Sequence, residues 1–197
     1  MRDLTEPGPE LDAAAAAAID AANAHDPSRV RVDGEERPLA LVQGQRAADW
    51  VRRLAPQAGP AVVLAARAHH LRRWELARAA YPEGRVGYLR WRREQKQRHA
   101  AAVGEVLLGV GAGSALVERV QELVARGDLS DPDAQLVEDA ACLVFVELQL
   151  AEFAARLDPA KAASVVAKTL AKMSPAAREA AQQAAPPEAR PLLEPAG

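Results

Sequence analysis

Apolar residues recur along this chain at spacings of three and four, and proline and glycine break the pattern into segments of helical length. The first segment runs from about residue 9 to 24, an alanine block from Ala13 to Ala18 followed by Ile19. From His25 to Pro38 proline and glycine interrupt any period, so this stretch reads as a connector with His25 exposed or capping. Pro38 then opens a second helix at its first turn, where the missing N–H costs nothing. That helix reaches about Ala55, with Leu39, Val42, Arg46, Trp50 and Leu54 on one face. Gly59-Pro60 starts a third, carrying Val62, Val63 and Leu64 and ending near His69 and His70. Residues 78–87 are turn-rich and read as a structured loop, and a fourth helix over about 88–110 ends among Gly109, Gly111 and Gly113.

Three further starts are marked by Asp131-Pro132, Asp158-Pro159 and Ser174-Pro175, each a capping side chain followed by proline at the first helical position. They divide the C-terminal half into helices at about 114–126, 132–157, 159–172 and 175–185. Residues 1–8 read as a flexible N-terminus. The proline-rich segment 186–197 cannot continue a helix and reads as a flexible tail. The expectation is one all-α globular domain of about seven or eight helices over residues 9–185, without internal repeats.

Composition sharpens this picture in two places. Alanine dominates and aromatics are scarce, which favours helix wherever a period can be read. The net charge of −2 conceals an uneven distribution: Arg67 to Arg98 hold ten basic and three acidic residues, in a chain with 25 and 27 overall. A basic centre in an otherwise acidic chain fits an anionic small molecule, a nucleotide or a nucleic acid, and fits equally well a set of ion pairs with acidic neighbouring helices. The lone Cys142 lies in an apolar run and reads as a small core residue. No apolar run approaches the roughly 20 residues that span a bilayer, and the N-terminus carries no apolar signal segment. A cytoplasmic protein without membrane contact is the expectation; the oligomeric state is not legible.

Candidate chemistry lies in the polar residues stranded on apolar helices. His69 and His70 are adjacent, and helical neighbours point about 100° apart, so one can be core and the other surface. Imidazole is the commonest protein metal ligand. His99 follows on the fourth helix, and Glu138 and Asp139 precede the apolar run around Cys142. Two or three histidines with a carboxylate suit a divalent Mn, Fe, Ni or Zn ion. Arg72 and Arg73 adjoin the histidines, and guanidinium forks hold phosphate bidentately. Trp74, Tyr88 and Trp91 stand among these arginines, either as core anchors or as faces on which a base stacks.

The order Val42-Gln-Gly-Gln-Arg-Ala-Ala-Asp-Trp50, Leu64-Ala-Ala-Arg-Ala-His-His70, a later histidine, then Glu138-Asp139 resembles the helical HD-domain phosphohydrolases over residues 39–147. That family carries a His with an Arg three residues on, a His-Asp pair ending the next helix and an Asp on a late helix, which hold one or two metals. The resemblance places Gln43 at the first His, Arg46 at the Arg, His69 and His70 at the dyad, and Asp139 at the final Asp. Gln for His and His for Asp depart from the pattern. The implied fold is an HD-like orthogonal helical bundle. In the implied metal-dependent phosphohydrolase His69, His70, His99 and Asp139 hold the metal. Gln43, Arg46, Arg72 and Arg73 bind substrate, and Glu75 or Glu138 orients or deprotonates water. The alternative that the departures also fit is a non-catalytic module binding a nucleotide, an RNA end or a phosphorylated partner.

A second resemblance covers most of the chain. The segments Ile19-Asp-Ala-Ala-Asn-Ala-His-Asp-Pro27, Ala66-Arg-Ala-His-His-Leu-Arg-Arg-Trp-Glu75, Gly87-Tyr-Leu-Arg-Trp-Arg92, Glu138-Asp-Ala-Ala-Cys-Leu-Val-Phe145 and Lys172-Met-Ser-Pro175 are similar to domain-of-unknown-function family 4202. This resemblance implies no established activity.

Overall fold

Alanine and leucine at most positions leave the helical state little competition. The described residues, 8–125 and 128–193, form nine α-helices and one small hairpin in the computed structural model. In chain order α1 (Pro9–Asn23) is followed by strands β1 (Arg29–Val32) and β2 (Glu35–Pro38). Then come α2 (Leu39–Leu54), α3 (Pro60–Arg67), α4 (Gly84–Gly109), α5 (Ser114–Ala125), α6 (Pro132–Leu148), α7 (Leu150–Ala155), α8 (Pro159–Leu170) and α9 (Pro175–Ala184). The fold is all-α, a single domain, and no helix among the described residues is long and apolar enough to cross a membrane. Residues 1–7 of the expected loose N-terminus and 194–197 of the expected tail lie outside the described residues. Within 186–193, Ala189 and Leu193 are buried in the core.

The caps act as their chemistry requires. Asp131 accepts from the backbone N–H of Asp133, Asp158 from those of Ala160 and Lys161, and Ser174 from that of Ala177. Pro38, at the N-cap of α2, has no side-chain acceptor, and Asp26 supplies one from the preceding turn. Its carboxylate accepts from the N–H of Ser28 at 2.9 Å and, 14 residues on, from that of Ala40 at 2.8 Å. Asp26 is buried, and this is the bond that closes the connector onto α2.

Several elements differ from the sequence expectation, and α4 already begins at Gly84, inside the segment 78–87 expected as a loop. The connector contains an antiparallel hairpin, Arg29 opposite Pro38 and Val32 opposite Glu35. Its turn places both Asp33 (φ 52°) and Gly34 (φ 84°) in the left-handed region, the type I′ geometry that an Asp-Gly pair favours. The third helix ends at Arg67, so His69 and His70 occupy the turn that follows rather than the helix itself. The long helix expected over 132–157 is interrupted at Gln149 (φ −130°), between α6 and α7. No proline or glycine marks that break; a tertiary hydrogen bond made by Gln149 coincides with it.

α6 is the axis of the domain and packs on α2, α3, α5, α7 and α9. Val137, Ala140, Leu143, Val144 and Val146 bury its circumference. Around it α1, α2 and α3 form a second layer tied by one ion pair: Asp20 on α1 accepts from Nε and one terminal nitrogen of Arg67 on α3, both at 2.7 Å. Gln45 on α2 donates to the same carboxylate at 2.8 Å. The hydrogen bond to Asp20 raises the Arg67 pKa further above its ordinary value. At the crossing of α2 and α3 a Cβ on Gly44 would collide with the backbone carbonyl of Arg67. Arg119 on α5 bridges Asp131 and Asp133 at 2.8 Å each, and its guanidinium holds the Asp131 carboxyl below the usual carboxylate range.

Two outcomes follow for stability. Gly44→Ala forces α2 and α3 apart and is expected to cost about 1–3 kcal/mol, read as a lower urea midpoint at unchanged slope. Because the folded pKa of Asp131 is below its unfolded value, its stabilisation is complete above about pH 3.9 and is lost as pH falls through the folded value. Asp131→Asn is therefore expected to lower the urea midpoint at pH 7, with the difference from wild type shrinking in acid.

A cationic cavity as the candidate functional site

The turn after α3 carries the residues around which the site is built. Trp91 on α4 is buried and donates its indole N–H to the Leu76 carbonyl at 3.0 Å. Gln95, one turn on, donates to the carbonyls of Arg73 and Leu76 at 2.9 and 3.1 Å. These bonds satisfy the carbonyls of Arg73 and Leu76 and fix the short 3-10 turn Arg73–Glu75 beside α4. Arg72 adopts a left-handed conformation (φ 52°), turning Arg72 and Arg73 in different directions. The Arg73 guanidinium stacks 4.9 Å from the Trp91 ring centre.

Beside this turn a cavity of about 900 Å³ opens between α4 and α8, floored by α6. One face of α4 lines it with Tyr88, Trp91, Arg92, Lys96 and His99. α8 and the residues after it contribute Lys168, Thr169 and Lys172. Glu138, Cys142 and Phe145 come from α6, and Phe153 from α7. Gln43, His70, Arg73 and Gln149 complete the lining. Five cationic side chains therefore meet one carboxylate, and Glu138 lies 3.8 Å from the Lys172 ammonium. A smaller chamber of about 270 Å³ adjoins it, sharing Gln43, His70, Arg73, Trp91 and Gln149 and reaching Asp26, Ser28 and Trp74.

The three histidines of the centre lie together. The rings of His69 and His70 are 4.1 Å apart, and those of His70 and His99 are 6.3 Å apart. Each Nδ1 meets an oxygen: His69 the Ala66 carbonyl at 2.7 Å, His99 the Leu71 carbonyl at 2.7 Å and His70 the Gln43 side-chain oxygen at 2.8 Å. A carbonyl oxygen only accepts, so Nδ1 carries the proton and donates in all three. The Gln43 amide is oriented by its own N–H donation to the Gln149 side-chain oxygen at 2.9 Å. In the neutral rings Nε2 is therefore the nitrogen that holds the lone pair.

The remaining residues singled out in the sequence are placed elsewhere. Asp139, one position from Glu138 on α6, lies outside the cavity lining and accepts from the Ser174 backbone N–H and the Gln135 amide, both at 2.8 Å. Among the described residues no group of three or more His, Cys, Asp or Glu could hold a metal ion. The donor set expected from His69, His70, His99 and Asp139 thus does not fit the HD-type centre, because the Asp139 carboxylate secures the start of α9 instead. Arg46 pairs with Glu147 at 3.4 Å, and Glu147 also accepts from the Trp50 indole at 2.9 Å. Arg72 and Glu75 belong to an outer ion-pair network, Arg72 with Glu105 at 3.7 Å and Glu75 with Arg98 at 3.4 Å. Neither lines the cavity. Of the expected residues, Gln43, His70, Arg73, His99 and Glu138 line it, and His69 supports it from beneath.

Sequence reasoning missed Lys168, Thr169 and Lys172, as well as Gln149, Phe153 and Lys96. Lys168 lies in the last turn of α8 and Lys172 two residues beyond its end. Nothing local ties either to residue 70. The family model described as Domain of unknown function (DUF4202) matches residues 13–193. No curated protein and no solved structure matches the chain.

The hydrogen-bond pattern sets an expected outcome. Nitrogen-15 NMR at a pH where the rings are neutral should find all three histidines as the Nδ1–H tautomer. Gln43→Leu should release His70 into a tautomer mixture while leaving His69 and His99 unchanged. An Nε2–H form of His70 in the wild type would contradict the assigned orientation of Gln43.

Proposed function

We propose that this chain, which belongs to the DUF4202 family, binds a phosphorylated, ring-bearing small molecule such as a nucleotide in the cavity between α4 and α8. The observation that carries this reading is the lining: Arg73, Arg92, Lys96, Lys168 and Lys172 against Glu138, on walls that also bear Tyr88, Trp91, Phe145 and Phe153. Guanidinium and ammonium groups gathered on one lining suit an anionic ligand, and the aromatic rings offer surfaces for a base. A volume of about 900 Å³ is in the range of small-molecule sites.

Phosphoester hydrolysis is the second reading, favoured by the Nδ1–H tautomers of His69, His70 and His99. A ring fixed in this way presents a basic nitrogen in a set direction, a property shared by proton acceptors and metal ligands. Glu138 on the same lining is a second candidate for handling a water proton. Because no group of three or more His, Cys, Asp or Glu among the described residues could hold a metal ion, this reading assigns no step to a metal.

Calorimetric titration with adenosine and guanosine monophosphates tests the binding reading. Lys168→Ala and Arg92→Ala each remove one charge-assisted contact and are expected to weaken binding about tenfold or more, with affinity falling as salt rises. Affinities unchanged in both variants would overturn it. Phosphate release from the same nucleotides, assayed with and without Mn, Fe(II), Ni or Zn and lost in His70→Ala, would favour hydrolysis. Binding without release under every condition leaves the non-catalytic module.

A further inference from the structure

The first turns of α4 carry an outward face that neither the core nor the cavity uses. Residues 84–93 contain four arginines and no acidic residue. Gly87, Trp91 and Gln95 are buried on the inner side of the helix. At 100° per residue the opposite side presents Val86, Leu89, Arg90 and Arg93. Val86 is 83 % exposed, Leu89 51 % and Tyr88 44 %. Arg67, Arg72, Arg98 and Arg119 are all held by carboxylates. Arg85, Arg90, Arg92 and Arg93, by contrast, form no ion pair with a described residue. This is a cationic strip with apolar side chains set into it, and it is continuous with the site: Tyr88 and Arg92 belong to the cavity lining, with the Arg92 guanidinium 5.9 Å from the Tyr88 ring centre.

We propose that this face of α4 is a track for single-stranded nucleic acid, running to the cavity so that the phosphorylated end of the strand enters it. The proposal rests on the anion-binding reading of the cavity and names the class of ligand that would use it. Uncompensated guanidiniums neutralise backbone phosphates. An exposed tyrosine edged by arginine offers a stacking face that does not discriminate between bases. Val86 and Leu89 cover the apolar faces of sugars and bases, which a duplex keeps stacked inside. From Val86 to Arg93 the helix rises about 10 Å, the length of about three stacked nucleotides at roughly 3.4 Å each. The single-stranded form follows from the same points: the apolar and aromatic groups of the strip need exposed base faces.

Fluorescence anisotropy on the full chain tests the track, using a 5′-phosphorylated single-stranded octanucleotide, its unphosphorylated form and a labelled adenosine monophosphate. The octanucleotide is expected to bind at least tenfold tighter than the mononucleotide, with a steeper dependence on salt. The double variant Arg90→Glu/Arg93→Glu lies outside the cavity lining and should abolish that advantage while leaving mononucleotide affinity unchanged. Lys168→Ala should weaken both ligands and reduce the preference for the 5′ phosphate. An octanucleotide that binds no tighter than the mononucleotide, or as tightly to the double variant as to wild type, overturns the track while the cavity reading stands. Octanucleotide binding through Arg90 and Arg93 without any mononucleotide binding overturns the cavity reading and keeps the track. Capture on phosphatidylserine vesicles that requires Arg90 and Arg93, with no oligonucleotide bound, assigns the face to an anionic lipid surface and overturns the proposal.

Discussion

Burial of two adjacent carboxylates on the central helix is the constraint from which the rest of this structure follows. α6 is enclosed on nearly all sides, and both Glu138 and Asp139 are buried on it. An unsatisfied buried carboxylate costs several kcal/mol or titrates away its charge. The two neighbours resolve that cost in different directions. Asp139 takes the Ser174 backbone N–H and the Gln135 amide, which pins the start of α9 against α6. Glu138 turns toward the Lys172 ammonium, which brings the end of α8 over the cavity. One residue thus locks the C-terminal helices, and its neighbour sets the floor and one wall of the site.

The second organising device is a relay of amides. His70 donates to Gln43, which donates to Gln149 across 106 residues of sequence. That chain joins the turn after α3, the first turns of α2 and the break between α6 and α7. It also explains why a glutamine serves at position 43: one amide both accepts from an imidazole and donates onward, which neither a carboxylate nor an aliphatic side chain does. The interruption at Gln149 lets α7 swing Phe153 into the cavity wall.

The basic character of the central segment separates into two populations. Arg67, Arg72 and Arg98 are consumed by Asp20, Glu105 and Glu75, contacts that tie helices together or fasten the surface. The exposed pairs of Arg72 and Arg98 contribute little to stability, on the order of 0–1 kcal/mol each. Arg73, Arg92 and Lys96 line the cavity, and Arg85, Arg90 and Arg93 are left on the outer face of α4. The basic residues of this segment therefore divide between structural ion pairs and positions lining the cavity or exposed on α4.

Local chemistry by itself determined most of the helices and the starts of α6, α8 and α9. A proline after Asp131, Asp158 or Ser174 can occupy only a first turn, and the observed starts coincide with those positions. The Asp33-Gly34 turn is equally local, a type I′ signal carried by the Asp-Gly pair itself. The cluster of His69, His70 and His99 and the share of Glu138 in the site were legible as residues stranded on apolar segments. What only the tertiary structure decided was direction. Adjacent residues on α6 or in the turn after α3 point to different surroundings, so Asp139 and Arg72 left the site while Glu138 and Arg73 stayed. Lys168 and Lys172 joined it from about 100 residues away in sequence. Spacing along a helix fixes which residues share a face, but which face meets which neighbour depends on packing between elements far apart in the chain.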